Sequence, residues 1–272
     1  MRRDMEEEMN IDWGKNPDVT LDDNVIQKKE ESSQYAPYKN MFFAFVDVLG
    51  FQQTYEEHRE DESSDFAKAY ERVFGYFCRL MNNAKFIKDK PRNEWVAAAG
   101  QTSDSLYFYT DRIDFLAGFV KIYSHFILYA MSQNVFFRGG IGHGGLFINT
   151  PYQFYGDSVI KAFLMESTIA KLPRVAIDEK TRFELDPYLD KKFFKDEKGR
   201  HYIAPCINVK PKDIFEYYDS DFVFEDIGAD VIKRIEHNIN FNHNKFEFVE
   251  GTYQKYDYLS TCFKQSDLLY SE

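Results

Sequence analysis

The sequence predicts an α+β fold in which strands and helices follow one another in the order β-α-β-β-α-β. Two observations support this order. Short apolar runs rich in aromatic and β-branched residues, bounded by glycine or polar residues, are typical of strands, and longer segments with apolar residues three or four apart are typical of helices. Such an order gives an antiparallel, ferredoxin-like sheet backed by two helices.

The first strand is predicted at residues 42–48, where a nearly continuous apolar run is interrupted by Asp47 and followed by Gly50. A strand that is buried on both faces needs such a run. An ionised carboxylate at its end is costly unless it is solvated, paired or bound to a cation.

A hairpin is predicted next, because the apolar runs 95–99 and 106–109 flank the polar segment 100–105. Asp104 would lie at its tip. Carboxylates on two neighbouring strand ends, Asp47 and Asp104, could hold one or two hard cations against a triphosphate.

The remaining elements of the predicted core are two helices, two strands and a third helix. Their ranges are 65–85 and 114–132 for the first two helices, 134–141 and 144–148 for the strands, and 157–171 for the third helix.

Three regions follow from these patterns. Residues 1–39 form an acid-rich arm without a sustained period, residues 40–178 form the core, and residues 179–272 form an α/β extension packed on that core. The extension has no motif with a known chemistry, so its predicted role is to lengthen the sheet and support the fold.

Composition restricts the class of protein. With 44% hydrophobic residues among 272, the chain can bury a large core, and its net charge of −11 argues against nucleic acid or an anionic membrane as a partner. Cys78, Cys206 and Cys262 lie far apart without a C-x-x-C pair, which favours a reducing compartment. No apolar signal or membrane-spanning run is predicted, so we expect a soluble, cytoplasmic protein.

Four motifs in order are specific enough to suggest a family. They are Phe-Val-Asp-Val-Leu-Gly-Phe at 45–51, Ser-Asp-Ser at 103–105, Arg-Gly-Gly-Ile-Gly-His-Gly at 138–144 and Tyr-Gly-Asp-Ser-Val at 155–159. This set resembles the catalytic domain of class III nucleotide cyclases, and it looks closest to the bacterial pyrimidine cyclases of Pycsar antiphage defence. The cyclases share their β-α-β-β-α-β plan with the palm of nucleotidyl transferases.

The resemblance implies a metal site and a reaction. Asp47 and Asp104 would ligate two Mn²⁺ or Mg²⁺ ions, with the Val48 carbonyl as a further ligand. Such ions lower the pKa of the ribose 3′-hydroxyl and neutralise the leaving diphosphate. The product would be a cyclic UMP or cyclic CMP that a separate effector reads.

The resemblance also implies a phosphate site and an assembly. Backbone N–H groups of Leu49, Gly50, Phe51 and Gln52 would cradle the β- and γ-phosphates. The glycine-rich segment would lie near the interface of a homodimer whose active sites draw residues from both subunits.

Departures from the purine cyclases concern four positions. Gly100 and Gln153 stand where those enzymes place a base-reading Lys and Asp, and Ile160 and Leu164 stand where they place a transition-state Asn and Arg. Apolar side chains cannot stabilise a developing charge. Three cations could substitute, and Arg138 leads Lys161 and Arg174 because it ends an apolar strand and begins a glycine-rich segment.

Three functions therefore remain open at this point. The first is a metal-dependent cyclase acting on UTP or CTP, the second is a purine cyclase with altered site residues, and the third is a catalytically silent nucleotide-binding domain. The sequence does not separate uridine from cytidine.

Overall fold

The computed structural model describes residues 38–58, 65–88, 97–150, 153–189, 193–195, 198–203, 205, 211–249 and 251–266. They belong to one compact unit, residues 36–272. The predicted N-terminal arm, residues 1–39, lies outside the described residues except for Tyr38 and Lys39.

One sheet of eight strands forms the centre of this unit. The strands are β1 Lys39–Val48, β2 Ala97–Thr102, β3 Ser105–Thr110, β4 Phe137–Thr150, β5 Gln153–Gly156, β6 Val175–Ile177, β7 Phe193–Lys195 and β8 His201–Ile203. Their order is β2-β3-β1-β4-β6-β8-β7, and β5 pairs with β4. All neighbours are antiparallel except β4 and β6. The predicted α+β class is confirmed.

Eight helices are described alongside the sheet. They are α1 Phe51–His58, α2 Asp65–Asn83, α3 Lys85–Lys88, α4 Ile113–Ser132, α5 Asp157–Leu164, α6 Glu179–Leu185, α7 Ala229–Lys245 and α8 Thr252–Lys264. A π-helical segment, Met165–Ile169, continues α5. Helices α2, α4, α7 and α8 contribute to the larger core on one face of the sheet, and α5 packs on the other.

The apolar run of β1 is explained by burial on both faces. Phe42, Ala44 and Val46 point into the larger core, whereas Met41 and Phe43 point into the smaller one beside α5. Successive side chains of a strand alternate between its faces, so a strand covered on both sides has no polar face.

The glycines of β4 allow α5 to lie directly on the sheet. A Cβ atom at Gly140 would lie 2.3 Å from the Ala162 carbonyl oxygen, and one at Gly142 would lie 2.4 Å from that of Ser158. The absence of side chains at these two positions is therefore what lets the backbone of α5 approach the strand so closely. The predicted break between residues 141 and 144 is wrong, because β4 runs unbroken from Phe137 to Thr150.

Within the C-terminal third, β8 and β7 lengthen the sheet beyond β6, the strand that ends the predicted core. Helix α7 docks on the end of α4 through amide contacts. Asn238 donates to the carbonyls of Met131 and Ser132, at 2.9 and 3.1 Å, and Asn242 donates to the side-chain oxygen of Asn134 at 2.6 Å. Asn242 is buried, so this contact fixes α7 against the turn that precedes β4.

Helix α4 meets the length and composition expected of a membrane span, which the sequence patterns did not predict. However, 83% of its apolar window is buried inside the protein. Burial of this extent is typical of the core helix of a soluble domain.

Candidate functional site

The two predicted carboxylates meet where β1 and the β2–β3 hairpin end. Asp47 lies directly opposite Ser105 in the β1–β3 register. Asp104 occupies the two-residue turn of the hairpin, in which Ser103 has a positive φ of 55°. The N–H of Val48 donates to the Asp104 carbonyl at 3.3 Å, which ties the turn to the end of β1. Strand pairing therefore places the two aspartates next to each other.

The electrostatics of this pair favour a cation. Burial raises the pKa of Asp47, and the negative charge of Asp104 raises it further. A hydrogen bond from the Ser105 hydroxyl, at 2.9 Å from Asp47 Oδ1, and the charge of Arg138 act in the opposite direction. Two like charges held together in a half-buried place are relieved by a proton or by a metal ion.

The donor set fits a magnesium or manganese ion. Within the described residues, no group of three or more His, Cys, Asp or Glu side chains comes close enough to hold a metal ion. A pair of carboxylates suffices for Mg²⁺, which keeps several waters and binds through one or two carboxylates plus substrate phosphates. Asp47 and Asp104 could thus hold such an ion together with a triphosphate.

Tyr70 of α2 is a third member of the site. Burial raises the pKa of its phenol strongly, and the charges of Asp104 and Asp47 raise it further. It therefore stays protonated and can donate a hydrogen bond toward the carboxylates or a bound phosphate. Its ring packs on Phe51 at a centroid distance of 5.2 Å. Sequence reasoning did not single out Tyr70, because its spacing from the apolar residues of the helix is that of a core aromatic residue.

Arg138 lies between two acids. It faces Asp47 across the β1–β4 register, and its Nε atom lies 2.5 Å from Glu166 Oε1. The contact with Glu166 is one of charges rather than an aligned hydrogen bond. Glu166 is buried, which raises its pKa; the charge of Arg138 lowers that pKa, and that of Asp47 raises it.

The sequence pattern did not predict Glu166 as a site residue, because Glu166 lies in the π-helical segment after α5. A π-helical turn shifts the register of a helix, and such turns are frequent at functional sites. No helical periodicity would therefore have pointed Glu166 toward Arg138. Arg138, the leading candidate cation, therefore lies beside Asp47 and interacts with both Asp47 and Glu166.

The other two candidate cations are engaged elsewhere. Lys161 donates to the His143 carbonyl at 2.9 Å, on the α5 side of β4. Arg174 is buried, lies over the Tyr202 ring at 4.4 Å and contacts the Ile169 carbonyl at 3.4 Å. Both side chains have structural contacts in these positions.

The predicted phosphate cradle needs one correction. The N–H of Leu49 donates to the Phe136 carbonyl at 2.8 Å, so it is committed to the fold. Gly50 follows with a φ of 76°, a conformation that favours glycine, and α1 begins at Phe51. The first N–H groups of a helix lack intrahelical acceptors. The cradle is thereby reduced to Gly50, Phe51 and Gln52.

The positions that differ from purine cyclases have clear environments. The ring of Tyr107 covers Gly100, since a Cβ atom there would lie 2.4 Å from the phenolic oxygen. Gln153 is exposed and accepts a hydrogen bond from Asn149 at 2.9 Å. Ile160 and Leu164 are 58% and 50% exposed on the outer face of α5.

Comparison with known proteins yields weak structural similarity and no sequence match. No protein-family model and no curated protein matches the chain. Among solved structures, it is similar to a class III adenylyl cyclase-like ATP-binding protein from Pseudomonas aeruginosa, with a TM-score of 0.32 and 11% identity. The match covers 84% of this chain and 44% of that one, so the chain spans less than half the length of that protein. A match this weak assigns neither a family nor an activity.

Proposed function

We propose that this protein is a metal-dependent nucleotide cyclase that converts UTP or CTP into a 3′,5′-cyclic monophosphate and diphosphate. The observation that carries the proposal is the meeting of Asp47 and Asp104 at the end of β1. A silent binding domain has no use for two like charges held this close.

Each residue of the candidate site then has a proposed role. Asp47 and Asp104 would hold one or two Mn²⁺ or Mg²⁺ ions, with the Val48 carbonyl as a further oxygen ligand. When bound, such ions activate the ribose 3′-hydroxyl and neutralise the leaving diphosphate. The N–H groups at the start of α1 bind phosphate oxygens, and Tyr70 donates its phenolic proton as a hydrogen bond.

Arg138 is the proposed cation for charge that develops on the α-phosphate. Its place opposite Asp47 supports this role. Its pairing with Glu166 restrains the guanidinium and leaves it 27% exposed. A partly exposed, oriented cation is suited to stabilise an anionic transition state, because little reorganisation is needed.

The choice of a pyrimidine rests on Gly100 and Tyr107. Gly100 offers no side chain to a base, and the Tyr107 ring fills the space that a longer residue would occupy. A lysine at position 100 could not lie there without displacing this ring. The base-reading lysine of the purine enzymes therefore has no equivalent at this position.

A homodimer with shared active sites is part of the proposal. Ile160, Phe163 and Leu164 expose 58, 53 and 50% of their surfaces on one face of α5. Contiguous apolar residues on a surface mark interaction sites. We further propose that the protein is cytoplasmic and that its product acts as an antiphage signal through a separate effector.

The test is to incubate purified protein with ATP, GTP, CTP or UTP and Mn²⁺ and to resolve the products by mass. We expect one pyrimidine triphosphate to give a cyclic monophosphate, with loss of product in Asp47→Asn and Asp104→Asn. Asp111→Asn is the matched control, because Asp111 pairs with Lys39 at the other end of the β3 strand, at 3.8 Å. A cyclic purine product would overturn the substrate assignment. The absence of product from every nucleotide would overturn the proposal that the protein is a cyclase.

A further inference from the structure

A cavity of about 640 Å³ lies directly beside the end of β1. Its walls come from both halves of the chain: Val48, Leu49 and Gly50 on one side, α2 on a second, and the C-terminal helices α7 and α8 on a third. A volume of this order is typical of small-molecule sites. The predicted phosphate cradle at Gly50 thus borders a cavity that the C-terminal extension closes.

The charged groups of this cavity are mostly positive. Lys245, the last residue of α7, and Lys255, in the first turn of α8, both line it, and Asp65 is the one acid among the described lining residues. Within the described part of the chain, neither lysine is ion-paired. Burial lowers the pKa of Lys255, and the nearby charge of Arg138 lowers it further.

This arrangement is unfavourable without an anion. Lys255 lies in a partly desolvated wall of the cavity with no counter-charge paired to it among the described residues, and a negative ligand in the cavity would supply that counter-charge. The chain as a whole carries a net charge of −11, so a positive cavity departs from its overall field. The start of α8 contributes as well, since Thr252 lines the cavity and the N-terminal end of a helix favours negative charge.

We propose that Lys255 and Lys245 bind the polyphosphate end of the nucleoside triphosphate in this cavity, and the diphosphate after the reaction. The C-terminal extension is then part of the active site rather than only a support. This inference rests on the proposed function for its ligand, and on the cavity for its place. Of the two lysines, Lys255 is the sharper test, because a cation at the C-terminal end of α7 such as Lys245 also stabilises that helix.

The experiment measures binding of inorganic triphosphate, with Mg²⁺, by isothermal titration calorimetry. We compare the full-length protein with Lys255→Gln, Lys245→Gln and the double variant. Lys264→Gln is the matched control, because it makes the same charge change at the other end of α8, outside the cavity. Thermal unfolding of each variant verifies that it is folded.

We expect Lys255→Gln to weaken binding at least about 10-fold, the loss expected for one charge-assisted contact. The double variant should lose more, and Lys264→Gln should bind like the parent. Equal binding by the parent and the double variant would overturn the inference, as would no binding by the parent.

Activity separates this inference from the proposed function. If triphosphate binding depends on the lysines but no cyclic product forms, the binding site at the lysines is supported and the proposed cyclase activity is contradicted. If the cyclic product forms with an unchanged KM in Lys255→Gln, the proposed cyclase activity is supported and the binding site at the lysines is contradicted.

Discussion

The packing of α5 on β4 makes a quantitative prediction for Gly142→Ala. The added methyl group would lie 2.4 Å from the Ser158 carbonyl oxygen and 2.6 Å from the Ala162 backbone nitrogen. Both are backbone atoms of α5, so the whole helix has to move. Overpacking of this kind costs about 1–3 kcal/mol of the free energy of unfolding.

Gly75→Ala is the matched control, because nothing lies within 4 Å of a Cβ atom at this exposed position of α2. Alanine is the better helix former, so this change should stabilise the protein by about 0.5–1 kcal/mol. Urea unfolding followed by circular dichroism measures both variants. A Gly142→Ala variant as stable as Gly75→Ala would refute the direct contact between α5 and β4.

Three further predictions concern single contacts. Glu166→Gln removes a buried carboxylate whose pKa is raised by burial despite Arg138, so its charge costs more than the pair returns and the free energy of unfolding at neutral pH should be kept or raised, measured by urea denaturation; a clear loss of stability would show that the pair outweighs the cost of burial. Asp178→Ala removes the N-cap of α6, which accepts from the Thr181 N–H at 2.9 Å, and should cost about 1 kcal/mol in the same assay; no loss would contradict the cap. Ile160→Glu places a charge on the exposed apolar face of α5 and should convert the proposed dimer into a monomer on analytical ultracentrifugation; an intact dimer would place the interface elsewhere.

Local patterns were enough to locate Asp47 and Asp104. A hairpin tip and the end of a buried strand are both encoded over a few residues, and strand pairing then brings the two side chains together. The glycine-rich segment was also located from the sequence, as the motif at residues 138–144. Its unbroken strand was missed, because consecutive glycines normally weaken a strand.

The rest of the site depends on contacts between distant segments. Glu166 reaches Arg138 through a π-helical turn, and Lys255 reaches the cavity because α8 packs against α7 and lines the same cavity as the end of β1. Neither lies at a spacing that links it to Asp47 in the sequence. The commitment of the Leu49 N–H to Phe136 is likewise a tertiary hydrogen bond that no local pattern reports.

The central claim is that Asp47 and Asp104 share a divalent cation. It is tested most directly by titrating Mn²⁺ into the parent, Asp47→Asn, Asp104→Asn and Asp111→Asn in the presence of a triphosphate, with free Mn²⁺ measured by electron paramagnetic resonance. We predict that both site variants lose Mn²⁺ binding and that Asp111→Asn retains it. Undiminished binding in Asp47→Asn and Asp104→Asn would contradict the claim.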